Sequence, residues 1–184
     1  GYEDAGNAAN TQIIVHDYGD QALVFEVRGL DTPDYREAKV GVIFEGSEGS
    51  LVMTSYSEGA AFDKDGNKVQ DFSGGGDHYG NFLEAVRSRK HTDLHADIEE
   101  GHLSSALCHL GNISYVLGTQ LGVPELKEQL KAMTSTENLL GTYDRFAEHL
   151  AANKLDLEKT RLSLGPKLKL DVPHEKFADN QAAD

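Results

Sequence analysis

Several short segments carry side chains that could do chemistry. Gly74-Gly75-Gly76-Asp77-His78 precedes a helical pattern, and a glycine-rich loop at a helix N-terminus can cradle a phosphate. Here Asp77 stands where the anion would sit, and neither a G-x-G-x-x-G nor a G-K-[ST] pattern is present. A turn with Asp77 as helix N-cap is the simpler reading. Asp63-Lys64-Asp65-Gly66-Asn67 has the look of a calcium loop but not its spacing, which needs a Gly at position 6 and a Glu at position 12. The segment therefore reads as a hairpin turn with an Asp-Gly signal. His102, Ser105, His109 and Asn112 fall in one narrow arc of a helix. Helical metal pairs use i, i+4 spacing, whereas these two histidines lie two turns apart, so the stripe reads as hydrogen bonding to a loop or a second domain. Asp93-Leu94-His95-Ala96-Asp97 could supply acid and base groups and is more simply a connector ending in a helix cap. Arg28, at the end of a strand pattern, could take an anion or an interface carboxylate. Arg28, His16, His78, His102 and His109 are the candidate substrate or interface contacts. The single cysteine, Cys108, excludes a disulfide within the chain and a multi-cysteine zinc site, and reads as a small buried residue.

The elements that must position these residues follow from periodicity. Residues 1–10 are a loose, polar lead-in. Residues 11–16 and 22–28 form β-branched runs around Asp17-Tyr18-Gly19-Asp20, a hairpin. After the Pro33 loop, strands are expected at 37–44 and 50–54, then at 60–62 and 68–72 around the Asp-Gly turn. The period changes after Gly76. Helices are expected from Asp77 to about Lys90, from Asp97 to about Gly118, from Pro124, and from a Ser135/Thr136 cap to about Ala152. Residues 161–172 form an extended segment, and 173–184 a disordered tail. Strands first and helices afterwards predict an α+β fold: one domain over 11–172, with a mostly antiparallel open sheet of about six strands and helices packed on one face.

Alternation along the strands assigns faces. Ile13, Val15, Leu23, Phe25, Val27, Val40, Val42, Phe44, Leu51 and Met53 are expected to face the helices. On the other face Ile14, Val24, Ile43 and Val52 make an apolar centre with a polar rim, the composition of a contact surface for a second copy. Ordinary β-branched preference would give the same pattern on a solvated sheet.

The chain has 17 Lys and Arg against 31 Asp and Glu, a formal charge of −14. Nucleic acid and anionic membrane surfaces want clustered cations, so neither is an expected partner. No apolar run is long enough to span a bilayer.

Two long stretches resemble a known family. They are Gly74-Gly75-Gly76-Asp77-His78-Tyr79-Gly80-Asn81-Phe82-Leu83-Glu84-Ala85-Val86-Arg87-Ser88-Arg89-Lys90 and Ala96-Asp97-Ile98-Glu99-Glu100-Gly101-His102-Leu103-Ser104-Ser105-Ala106-Leu107-Cys108-His109-Leu110-Gly111-Asn112-Ile113-Ser114-Tyr115. Both resemble the C-terminal domain of the Gfo/Idh/MocA oxidoreductases, in the branch abundant in planctomycetes and related bacteria, and the resemblance runs over about residues 10–170. It implies a parent enzyme in which an N-terminal Rossmann domain binds NAD or NADP, while an open sheet backed by helices covers a sugar or polyol substrate and builds a homo-oligomer. The family's catalytic Lys of a Glu-Lys-Pro motif, and its Asp and His of a D-x-x-x-H segment, have no counterpart in this sequence, so no catalytic, cofactor-binding or metal residue is carried over. Val116 and Lys167 depart from the branch, which has Arg and an aromatic at those places. The expectation is the C-terminal part of a bacterial oxidoreductase, inactive and free of cofactor by itself. A non-catalytic module that binds or dimerises through its sheet is the alternative.

Overall fold

The computed structural model describes residues 5–180, 182 and 183. The first four residues of the expected lead-in, and Gln181 and Asp184 of the expected tail, lie outside them. The chain is α+β with antiparallel sheets. Its contacts group it into two compact units, Thr32–Ile98 and the remainder, where the sequence pattern suggested one domain over 11–172. The six strands of the expected meander are all present, divided between a two-stranded and a four-stranded sheet.

The unit formed by residues up to Asp31 and from Glu99 onward starts with the hairpin β1 (Thr11–Asp17) and β2 (Ala22–Arg28). Asp17 Oδ1 accepts from the Gly19 amide at 3.0 Å, and Gly19 takes φ +97°, which a side chain would resist. The turn pairs Asp17 with Ala22, so Ile14 lies opposite Phe25 and Val15 opposite Val24. Directly paired residues share a face. Ile14 and Val24 therefore point to opposite faces, which corrects their assignment to one dimer surface. The long helix α2 (Ile98–Val116) meets Ile14 through Gly111, where an added Cβ would collide with the isoleucine side chain. Helix α4 (Leu139–Ala152) meets the other face through Arg145 and Glu26. Helices thus lie on both faces of this hairpin. Its apolar core lies elsewhere in the unit. Leu121 of β7 (Thr119–Leu121), Leu126 of α3 (Val123–Ala132) and Tyr143 of α4 pack together, with Leu162 and Leu164 of β8 (Leu162–Leu164) against them. The expected disordered tail is corrected at its start. β10 (Lys176–Phe177) turns back on β9 (Leu170–Asp171) through a left-handed Glu175.

The Thr32–Ile98 unit is the meander β3 (Val42–Gly46), β4 (Gly49–Met53), β5 (Glu58–Asp63) and β6 (Lys68–Ser73), followed by helix α1 (His78–Ser88). The third strand begins later than its β-branched pattern suggests. Arg36 and Glu37 both take positive φ and Tyr35 bridges to Ala38, so the backbone turns there before extending. Register places Ile43, Val52 and Ala60 on one face and Phe44, Leu51 and Ala61 on the other. The Ile43/Val52 face is the covered one, with Val52 only 2% exposed. Arg36 reaches across it, its guanidinium 5.7 Å from the Phe62 ring centre and donating to Ser50 Oγ at 2.7 Å. Val42 and Phe44, expected to be core, are 49% and 59% exposed. The two faces of this sheet are therefore exchanged relative to the expectation, because the 32–41 loop folds over one of them.

Candidate functional site

In the first unit several charged and polar side chains converge on one seam, built from β2 and α4. Alternation puts Glu26 and Arg28 on the same side of β2. Helical spacing puts Thr142, Arg145, His149 and Asn153 in one line along α4 and its C-cap. The helix starts where Asn138 Oδ1 accepts from the Gly141 amide at 3.1 Å, three residues after Ser135 and two after Thr136, the expected caps.

The geometry of the seam is a chain of charge-assisted contacts. Arg28 donates Nη2 and Nε to Glu26 Oε2 at 2.8 and 3.2 Å, and Arg145 donates Nη2 to Glu26 Oε1 at 2.8 Å. Arg145 Nη2 also reaches Thr142 Oγ1 at 3.3 Å, and that hydroxyl donates to Glu137 Oε1 at 2.6 Å. At the far end Asn153 donates Nδ2 to the Asp31 carbonyl at 2.8 Å. Burial pushes the Glu26 carboxyl up, and the hydrogen bonds from Arg145 and Arg28 outweigh it, so the group sits below the usual glutamate range. His149 lies between these contacts on α4 and is buried, its Nε2 without a hydrogen-bond partner. Burial, and then the Arg28 charge, lower its pKa.

Of the sequence-derived candidates, Arg28 belongs to this seam. His16 lies on the Ile14 face of β1; its Nε2 has no partner and burial lowers its pKa. His102 pairs with Glu175 across 2.8 Å, and that carboxylate raises its pKa. The helical stripe thus does hydrogen-bond to a distant segment through His102, whereas His109, two turns on, is exposed. His78 opens α1 with its ring centre 4.3 Å from that of Tyr79. Asp77 caps that helix by accepting from the Gly80 amide at 2.8 Å, and the three glycines before it are exposed. Asp63 Oδ1 accepts from the amides of Asp65 and Asn67, which makes the Asp-Gly segment a hairpin turn. His91 pairs with Asp97, and Asn81 clamps the 93–95 connector by bonding the Asp93 carbonyl and the His95 amide. Cys108 is exposed, which corrects its assignment as a buried residue.

Two features were not singled out from the sequence. His149 occupies a position of α4 next to Leu150, both buried, in a line of polar side chains that gives no sequence signal of burial. The second is an open groove of about 490 Å³ over the covered face of the four-stranded sheet. Val52 and Ala60 form its floor, with Arg36, Phe62, Lys68 and Asp71 around them. Of its charges, Arg36 pairs with Glu45 outside the groove, and Lys68 pairs with Asp71 at 2.9 Å. No group of three or more His, Cys, Asp or Glu side chains that could hold a metal ion occurs among the described residues. No described helix is long and apolar enough to cross a membrane. All strand pairs of the described residues are antiparallel. Comparison with protein-family models, with curated proteins and with solved structures found no match to this chain.

Proposed function

We propose that the chain is the substrate-covering and oligomerising domain of an NAD(P)-dependent oxidoreductase that acts on a sugar or polyol. The nucleotide site and the acid-base groups are assigned to a Rossmann domain of the same parent enzyme, and no step of the reaction is assigned to residues of this chain. The observation that carries the reading is the antiparallel sheet β3–β6, one face of which leaves Val42, Phe44 and Phe72 exposed. Large apolar side chains left open on one sheet face are the kind of surface that meets a partner. The resemblance of residues 74–90 and 96–115 to the Gfo/Idh/MocA C-terminal domain supplies the enzyme class.

The experiment is expression of the full reading frame that contains this chain, followed by NAD(P) reduction assays with a panel of sugars and polyols. A G-x-G-x-x-G βαβ unit upstream together with turnover of a polyol supports the reading. A frame that encodes no nucleotide-binding unit favours the non-catalytic dimerisation module. By itself the chain is expected to bind no NAD, and calorimetry that found micromolar affinity would overturn this.

A further inference from the structure

We propose that His149 is a proton-operated lock on the seam between α4 and β2. The seam is fastened at two points, by Arg145 on Glu26 and by Asn153 on the Asp31 carbonyl. His149 lies on α4 between Arg145 and Asn153, one turn from each, so it faces the stretch of chain between Glu26 and Asp31, where Arg28 stands. It is 5% exposed and its Nε2 has no acceptor. Glu26, the carboxylate of that stretch, already receives Arg28 on one oxygen and Arg145 on the other. Glu137 is engaged by the Thr142 hydroxyl. A proton on His149 would add a third cation beside two guanidiniums and one carboxylate, and would bury an N–H with nothing to donate to. Both effects oppose the packed seam and neither opposes the open one. Desolvation holds the imidazole below its ordinary 6.5, Arg28 acts in the same direction, and Glu26 acts against them.

The consequence has a definite sign. A histidine kept neutral in the fold and free to take its proton when exposed makes the open state bind more protons, so the seam weakens as pH falls below 6.5. Neutral conditions fasten α4 to the hairpin and acid releases it.

The test compares the full chain with His149→Gln between pH 7.5 and 5, using denaturant unfolding together with amide exchange corrected for its intrinsic pH dependence. His16, half-buried and also with a lowered pKa, is common to both proteins and cancels in the comparison. The wild type is expected to lose folded population about tenfold more than the variant for each pKa unit by which His149 is displaced. The extra exchange is expected in α4 and β2 but not in β7 and β8. Equal acid sensitivity of the two proteins overturns the proposal, and so does extra exchange spread evenly over the unit. If His149→Gln does not fold, imidazole NMR on the wild type decides. A His149 that protonates clearly below 6.5 supports the lock, and one at or above 6.5 overturns it.

Discussion

Glu26 shows how much one side chain can organise. Its two carboxylate oxygens hold two guanidiniums from different elements, and it is the only acid among the contacts described on that stretch of β2. Replacing it with Gln leaves Arg28 and Arg145 half-buried with a neutral partner. A lost charge-assisted contact with its partner left in place costs about 1–3 kcal/mol. Glu26→Gln is expected to lower the unfolding free energy by about that amount in urea titrations at pH 7, and an unchanged midpoint would mean the pairs contribute nothing. The pH dependence follows from the lowered pKa of the native carboxyl. Its contribution is present above the ordinary glutamate value of 4.5 and is lost as pH falls below that value toward the depressed native pKa. The acid loss assigned to His149 begins at higher pH, so the two titrations separate. Gly111 matters for the opposite reason, because the space it leaves is already filled by Ile14. Gly111→Ala is expected to destabilise by about 1–3 kcal/mol through overpacking despite the better helix propensity of alanine. Ile14→Ala combined with Gly111→Ala should recover part of that loss, a positive coupling that a double-mutant cycle reads directly.

At the scale of elements, strands and helices were legible because each has its own period. The 11–17 and 22–28 runs, the Asp63–Asn67 turn and the Asp77 cap stand where composition and spacing place them. What escaped were properties that depend on pairing. Which strand residues share a face is decided by the register of each hairpin. The 18–21 turn fixes Asp17 opposite Ala22, and this separates Ile14 from Val24. The start of β3 depends on two residues, Arg36 and Glu37, in a left-handed conformation that neither favours, so no local signal announces it. The seam residues escaped for the same reason. Arg28 stood out as a strand-end cation, but Arg145 and His149 become its neighbours only when α4 crosses the hairpin. The start of α4 makes the point testable. Three residues in sequence, Ser135, Thr136 and Asn138, are all good N-caps, and the structure assigns the role to Asn138. Asn138→Ala is expected to lower the melting stability by about 0.5–2 kcal/mol, the usual value of a cap. Ser135→Ala is expected to cost less, since its hydroxyl accepts only from the Glu137 amide outside the helix. The reverse order would place the helix start where the sequence pattern alone put it.

At the scale of the whole molecule, the decisive feature is the exchange of faces in the four-stranded sheet. The face that alternation nominated for a partner holds Val52, which is as buried as any side chain of the unit, and the nominated core face holds Phe44, most of which is open. The two readings of which surface meets a second copy therefore predict opposite outcomes for a pair of substitutions. Val52→Asp places an unpaired carboxylate at a position that is only 2% exposed, and burial of an isolated charge is expensive enough to unfold the unit. Phe44→Asp places the same carboxylate in water and removes apolar area that gains nothing in the isolated fold. It should leave the melting temperature close to that of the wild type. If the open face is the contact between copies, Phe44→Asp also sets two carboxylates against each other across a desolvated interface, in a protein that already carries −14. Light scattering over a concentration series is then expected to show a dimer or larger assembly for the wild type, a monomer for Phe44→Asp, and a loss of folded protein for Val52→Asp. An assembly that survives Phe44→Asp with its mass unchanged would move the contact away from this sheet. A folded, dissociated Val52→Asp protein would restore the face that alternation first suggested.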